Sequence, residues 1–250
     1  MSEIKIIKLG GSAVTDKSKE GVVNYEKISL MAKAVSANSS DAEFIIVHGA
    51  GSCGHPQAKK WKIQEGVTRE NSDGIFETHE AVNRLNSAVV SALRKEGVNA
   101  VSFHPFECSF AKNGRLVFCG VEQIKKLISV GAVPVLHGDV VMDESRGACI
   151  VSGDQIAPFL AEALGVKEIG IATEVGGVLS NGKIVPEITR ENVSEIKFED
   201  AQTADVTGGM RGKIEELLLL ADAGISSHIF APEQTAEYLS GKYKGGTKVK

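Results

Sequence analysis

Two stretches near the N-terminus constrain the fold more than any other part of this 250-residue chain. Residues 4–9 form a short run rich in β-branched side chains that ends in Gly10-Gly11-Ser12. Glu43-Phe44-Ile45-Ile46-Val47-His48 is a second apolar run, and it passes straight into Gly49-Ala50-Gly51-Ser52-Cys53-Gly54-His55. Each reads as a buried strand, a glycine turn and the start of a helix. Between them Asn24 is placed to cap a helix reaching about Ala37, with Ile28, Met31, Ala32 and Val35 on one face. Consecutive units of this kind build a parallel sheet whose functional loops gather at the carboxyl ends of the strands.

The alternation continues to the C-terminus. The spacing predicts a long helix over 72–96, a strand over 99–103 and a hairpin over 110–118 turning at Asn113-Gly114. A helix over 121–130 precedes a strand over 132–136 that ends at His137-Gly138-Asp139, and 155–164 is helical. The second half adds a strand over 168–172, a hairpin around Asn181-Gly182 and an amphipathic helix over 210–223. It closes with a strand over 227–231, a helix over 233–239 and a terminal edge strand over 247–249. No Pro-rich, low-complexity or repeated segment divides the chain. The expected fold class is α/β, a three-layer αβα sandwich around a mainly parallel open sheet. Residues 1–250 are expected to form a single domain with two lobes, about 1–165 and about 166–250.

Composition removes several functions. With 42% hydrophobic and 24% charged residues the chain is ordinary for a globular protein, and its net charge is −4. It carries no block of Lys or Arg, so nucleic acid and anionic membrane are not expected partners. The four cysteines, Cys53, Cys108, Cys119 and Cys149, form no CxxC pair and read as reduced thiols filling core space. The first residues are too interrupted by charge for a signal peptide, and no apolar run approaches the roughly 18 residues of a membrane span. A soluble, cytoplasmic protein is expected.

The chemistry starts with three glycine turns, each directly after a buried strand: Gly10-Gly11-Ser12, Gly49-Ala50-Gly51 and His137-Gly138-Asp139. Without Cβ atoms, successive N–H groups can approach phosphate oxygens, and a following helix N-terminus adds partial positive charge. Three such turns in one α/β chain point to a polyphosphate site, although a P-loop ending in Gly-Lys-Ser/Thr is absent. Cations stand nearby. Lys8 interrupts an apolar strand end, Lys17 follows Ser12 closely, and Lys213 opens the helix after Thr207-Gly208-Gly209. Such lysines can neutralise charge that shifts between phosphoryl oxygens during transfer. His55 lies where a helix begins and is placed to donate to an anionic oxygen, whereas His79 and His137 read as structural. Asp139 and Asp154 sit beside glycines. They read as organisers of the lysines, as holders of Mg2+ through water, or as ordinary turn residues.

Taken together these residues resemble the amino acid kinase superfamily, collinearly over nearly the whole chain. Lys8-Leu9-Gly10-Gly11-Ser12 looks like its opening nucleotide loop, Val47-His48-Gly49-Ala50-Gly51 like its second glycine loop, and Thr207-Gly208-Gly209-Met210 with Lys213 like its late nucleotide segment. Ser12-Ala13-Val14-Thr15-Asp16-Lys17, Gly54-His55-Pro56, His137-Gly138-Asp139-Val140 and Ser152-Gly153-Asp154-Gln155 narrow the resemblance to isopentenyl phosphate kinases. That resemblance implies ATP-dependent phosphorylation of isopentenyl phosphate to isopentenyl diphosphate in isoprenoid biosynthesis of the archaeal-type alternative mevalonate pathway. Lys8 and Lys213 would contact ATP phosphates together with the backbone of Gly10, Gly11, Ser12, Gly51 and Gly209. Lys17 would stabilise the transferring group, and His55, Ala50, Gly138 and Gly153 would hold the acceptor phosphate. Lys8, Lys17, His55 and Asp154 form the catalytic set. Mg2+ would be bound mainly through ATP, with no protein metal ligand, and the family implies a homodimer with an N-terminal substrate lobe and a C-terminal nucleotide lobe.

Two departures stand out. Thr173-Glu174-Val175-Gly176-Gly177 replaces the usual Thr-Asp-Val-Asp-Gly, which bears on ribose or base contacts. Ala50 and Cys53 stand where Gly and Phe are common, with Cys53 expected in the pocket wall. The apolar tail is expected along the long helix near Ile75, Thr78, His79 and Val82. Other acceptors on the same fold (fosfomycin, or a longer prenyl monophosphate) and a non-catalytic nucleotide sensor are the competing readings.

Overall fold

A strand in which successive side chains are all buried needs cover on both faces, and β1 (Glu3–Leu9) is such a strand over its last four residues. Its Ile6 packs into one apolar cluster and its Ile7 into another. In the computed structural model, which describes residues 3–16, 19–40, 42–198 and 209–250, β1 leads into a single turn of helix, α1 (Gly11–Val14), and then α2 (Tyr25–Ala37). Strand β2 (Ala42–His48) lies parallel to β1 and enters α3 (Gly51–Lys60). The long α4 (Asp73–Lys95) precedes β3 (Ala100–Ser102), the short α5 (Pro105–Cys108), and the hairpin of β4 (Ser109–Lys112) and β5 (Arg115–Cys119). After α6 (Val121–Ser129) come β6 (Val133–His137), the hairpin of β7 (Asp139–Asp143) and β8 (Gly147–Val151), and α7 (Gly153–Leu164). The last part holds β9 (Glu168–Ala172), the hairpin of β10 (Val178–Ser180) and β11 (Lys183–Val185), and β12 (Glu187–Ile188). It ends with α8 (Gly209–Asp222), β13 (Ser226–Phe230), α9 (Thr235–Leu239) and β14 (Thr247–Val249).

Eight strands form one sheet in the order β12-β14-β13-β9-β1-β2-β6-β3. Every pairing in it is parallel except β13 with β14. One face buries Ile6, Ile45, Leu136 and Ile171 against Ile124 of α6, Leu160 of α7 and Ile214 of α8. The other buries Ile7, Phe44 and Ile46 against Met31 of α2, Leu85 of α4 and Leu239 of α9. This is the three-layer α/β arrangement the sequence predicts. Among the described residues no helix is long and apolar enough to cross a membrane.

Local signals explain much of the detail. Asn24 caps α2, its side chain accepting from Lys27 N at 3.0 Å. Both Asn-Gly turns have two positive φ angles, 52° and 79° at Asn113-Gly114 and 51° and 73° at Asn181-Gly182, the geometry that closes two-residue hairpins. Asp139–Asp143 pairs with Gly147–Val151, and with β4 and β5 they form a second small sheet. Two expectations need correction. Helix α7 starts at Gly153 rather than at 155. Strand β14 is not the edge, since the two-residue β12 pairs outside it.

Replacing the cap, Asn24→Ala, should lower stability by about 1 kcal/mol. In urea unfolding the midpoint should fall with an unchanged slope, while Asn24→Ser should stay near wild type. An unmoved midpoint in the alanine variant would remove the cap from the account of α2.

Candidate active site

Four parallel strands, β9, β1, β2 and β6, lie side by side in the middle of the sheet, and the backbone ladder carries each one residue beyond its end. Gly10 N donates to Ala172 O at 2.8 Å, Gly49 N to Leu9 O at 2.8 Å, and Gly138 N to His48 O at 2.9 Å. The three glycine turns therefore stand in a row at the carboxyl edge. The first two are pressed together. A Cβ on Gly11 would lie 2.7 Å from Gly51 N, and one on Gly49 would lie 2.7 Å from Gly11 N. Thr15 ties them, its hydroxyl donating to Gly11 O at 2.8 Å and accepting from Ser52 N at 3.1 Å. Gly51, with φ of 52°, sits against that hydroxyl and leaves no room for a side chain.

Around this row opens a cleft of about 910 Å3. The N-termini of α3, α7 and α8 reach it through Gly51, Gly153 and Gly209. Each brings the positive end of a helix dipole, a setting that favours anions. Its wall includes Lys8, Gly10, Gly11, Ser12, Ala50, Gly51, His55, Gly138, Gly153, Asp154, Gly209 and Lys213, which brings together every predicted site residue that the structure describes. Lys17 lies outside the described residues, as does the Asp205-Val206-Thr207-Gly208 segment.

The floor holds two cations on one carboxylate oxygen. Asp154 Oδ1 accepts from Lys8 Nζ at 2.9 Å and from Lys213 Nζ at 2.6 Å. Lys8 is only 3% exposed. Burial pushes its amine down to about 8, with Lys213 acting in the same direction and Asp154 opposing both. Burial alone would raise Asp154, but Lys213 and Lys8 outweigh it and hold the carboxyl well below the usual range. Both ammonium groups thus stand on the floor of the cleft, where an entering anion would meet them.

Asp139 has a different partner. Its Oδ2 is 2.9 Å from His79 Nδ1, and its Oδ1 accepts from Val140 N at 2.8 Å. Of the two candidate organisers of the lysines, Asp154 takes that place and Asp139 does not. His79 belongs to a cluster of four imidazoles that sequence reasoning missed. His104 Nδ1 is 2.9 Å from His137 Nε2, and His48 stacks on His137 with ring centroids 5.4 Å apart. Burial pushes His48 down to about 4. The available signal was a histidine on the apolar face of the long helix, which is an ordinary pattern.

Helices α3 and α4 bring His55, Ala58, Thr78 and Val82 to the wall, and β8 brings Ile150. Ser52 Oγ, Thr78 Oγ1 and Thr173 Oγ1 are buried in it without a hydrogen-bond partner among the described residues, as expected of a surface meant to meet a polar ligand. Of the residues expected along the tail, Thr78 and Val82 line the cleft, whereas Ile75 joins a small cluster with Ile63 and Val140 and His79 turns to Asp139 instead. Cys53 points into the main core and does not line the cleft. All four cysteines are free. In the departing segment, Gly176 has φ of 66°, and a Cβ there would meet Ala231 Cβ at 3.2 Å, so a glycine suits this turn. Val175, Gly177 and Leu179 line the cleft beside it.

The triad has a direct check. In a side-chain NMR titration the Lys8 amine should titrate near 8, not near 10.5. Asp154→Asn removes the anion that favours the ammonium form and should lower that midpoint further. A higher midpoint in the variant would contradict the assigned balance of forces.

Comparison with known proteins agrees with this geometry. Residues 3–231 match the amino acid kinase family. The chain is 34% identical to isopentenyl phosphate kinase of Haloferax volcanii over 96% of each chain, and 35% identical to that of Methanothermobacter thermautotrophicus over 98% of each. A crystal structure of an isopentenyl phosphate kinase superposes with a TM-score of 0.82 at 30% identity, covering 99% of this chain and all of the other. Carbamate kinase from Giardia lamblia, at 15% identity and a TM-score of 0.72, shares the fold. The chain belongs to the amino acid kinase family and, within it, to the isopentenyl phosphate kinases.

Proposed function

We infer that this chain transfers the γ-phosphoryl group of ATP to isopentenyl phosphate, giving isopentenyl diphosphate and ADP. The observation that carries this reading is the Lys8–Asp154–Lys213 triad on the floor of a cleft where three helix N-termini converge. Lys8 and Lys213, with the backbone N–H groups of Gly10, Gly11, Ser12, Gly51 and Gly209, hold the nucleotide phosphates. Ala50, His55, Gly138 and Gly153 hold the acceptor phosphate, and Lys17 serves the transferring group. Asp154 keeps the two lysines in register and removes no proton.

None is needed. A phosphate monoester has a second pKa near 6 and is already a nucleophilic dianion at neutral pH. Catalysis then consists of alignment for in-line attack and of cancelling charge on the moving phosphoryl oxygens. Asp154 Oδ1 is occupied by two ammonium groups, a donor set that suits Mg2+ carried on the nucleotide phosphates rather than on the protein. There the ion would supply charge neutralisation on the nucleotide phosphates. Thr173 Oγ1, buried in the wall and unpaired among the described residues, is suited to the nucleotide. Residues 1–250 act as one domain with an N-terminal acceptor lobe and a C-terminal nucleotide lobe, as a cytoplasmic homodimer supplying isoprenoid biosynthesis.

The test is ADP release from MgATP with isopentenyl phosphate, fosfomycin, carbamate or no acceptor. Rapid turnover with isopentenyl phosphate alone is expected, and a preference for fosfomycin would replace the acceptor. His55→Ala should raise the acceptor KM by about tenfold or more, the scale of a lost charge-assisted hydrogen bond, with the KM for ATP little changed. Equal acceptor KM and kcat in that variant would remove His55 from the acceptor site.

A further inference from the structure

Asp139 sits awkwardly for a phosphate site. Its carboxylate is fully buried and lines the cleft, where a dianionic acceptor would feel its charge. The lysines meet Asp154 instead. What stands against Asp139 is His79 of α4, Nδ1 to Oδ2 at 2.9 Å, with His137 Nδ1 farther off at 3.7 Å.

The groups around His79 leave it as the proton carrier of the cluster. From α5 and the residue before it come Glu107 and His104, from β6 His137, and from α4 itself Glu80. His48 of β2 lies behind His137. Burial, and after it the charge of neighbouring imidazoles, pushes His137 well down and lowers His104. His79 is the exception, raised by its hydrogen bond to Asp139 and then by the charges of Asp139, Glu107 and Glu80 against the opposing effect of burial.

We propose that His79 is a positioning residue for the acceptor phosphate: as a cation 2.9 Å from Asp139 it cancels that carboxylate and keeps the wall facing the acceptor electrically neutral. Asp139 is kept for its geometry, since its other oxygen holds Val140 N just past the Gly138 turn. The inference rests on reading the cleft as a phosphate-monoester kinase site. An uncompensated carboxylate within several ångströms of the acceptor phosphate should weaken binding by about tenfold. The sign of the pH dependence follows. Since the imidazole is raised, its charge is present below that raised value and lost as pH climbs through it.

The experiment is calorimetric titration of isopentenyl phosphate, and separately of methyl phosphate, into the full chain between pH 6.5 and 9. The variants are His79→Gln, which keeps a donor and loses the charge, Asp139→Asn, and the double variant. NMR titration of the His79 ring marks where its proton leaves, and thermal unfolding checks that each variant is folded. His79→Gln is expected to weaken binding about tenfold at pH 6.5, with the deficit shrinking toward none as wild-type His79 loses its proton. Adding Asp139→Asn should restore affinity to within about threefold of wild type. A deficit constant across pH, or a double variant as weak as His79→Gln, would overturn the proposal, because a packing role gives that pattern. If methyl phosphate shows the expected behaviour while isopentenyl phosphate neither binds nor turns over, the charge pairing stands and the acceptor assignment falls. Failure of wild type to bind either compound would end both.

Discussion

Two ammonium groups sharing one carboxylate oxygen is the arrangement on which the rest of the molecule depends. Lys8 comes from the first strand, Asp154 from the first turn of α7 and Lys213 from α8, so the contact joins segments 146 and 59 residues apart. Desolvating three charges is costly, and their attraction offsets that cost only with close geometry and further partners. Any ligand that binds the folded cleft and not the unfolded chain would link binding to local stability by mass action. A neutral apolar trio would pack as well and would have no reason to bind anything.

The sheet supplies the precision this requires. Because β9, β1, β2 and β6 are parallel neighbours, their ends are level, and the same ladder that holds the strands also fixes Gly10, Gly49 and Gly138. Buried apolar side chains on both faces keep the strand ends from drifting. Polar ligand groups can then be met by backbone N–H groups already in place, and little ordering is left for the moment of binding.

Much of this was legible in the sequence where the cause is local. Asn24 before an apolar 3.6-residue period, the Asn-Gly pairs between strand-like runs, and glycine directly after β-branched residues each have a short-range physical reason, and each appears as expected. What was not legible depends on partners distant in the chain. Gly138-Asp139 and Gly153-Asp154 look alike as dipeptides, yet one begins a strand and its acid meets a histidine, while the other begins a helix and its acid meets two lysines. The hairpin after Gly138 depends in the same way on β8, against which Val140 and Val141 are buried. The edge strand β12 has two residues, too few for any periodicity. The imidazole cluster draws its members from β2, α4, the start of α5 and β6, and nothing in their spacing announces that they touch.

The contact between Gly11 and Gly51 carries a consequence for how such proteins can diversify. Two backbones that touch without side chains between them cannot be altered one at a time, so the first two glycine turns are inherited as a unit. Variation in the cleft is steered elsewhere, to Ala58, Thr78, Val82 and Ile150, which line it without bearing on that contact. The fold thereby separates a part of the site that lineages must keep from a part they are free to rewrite, and new acceptors can arise without reinventing the reaction.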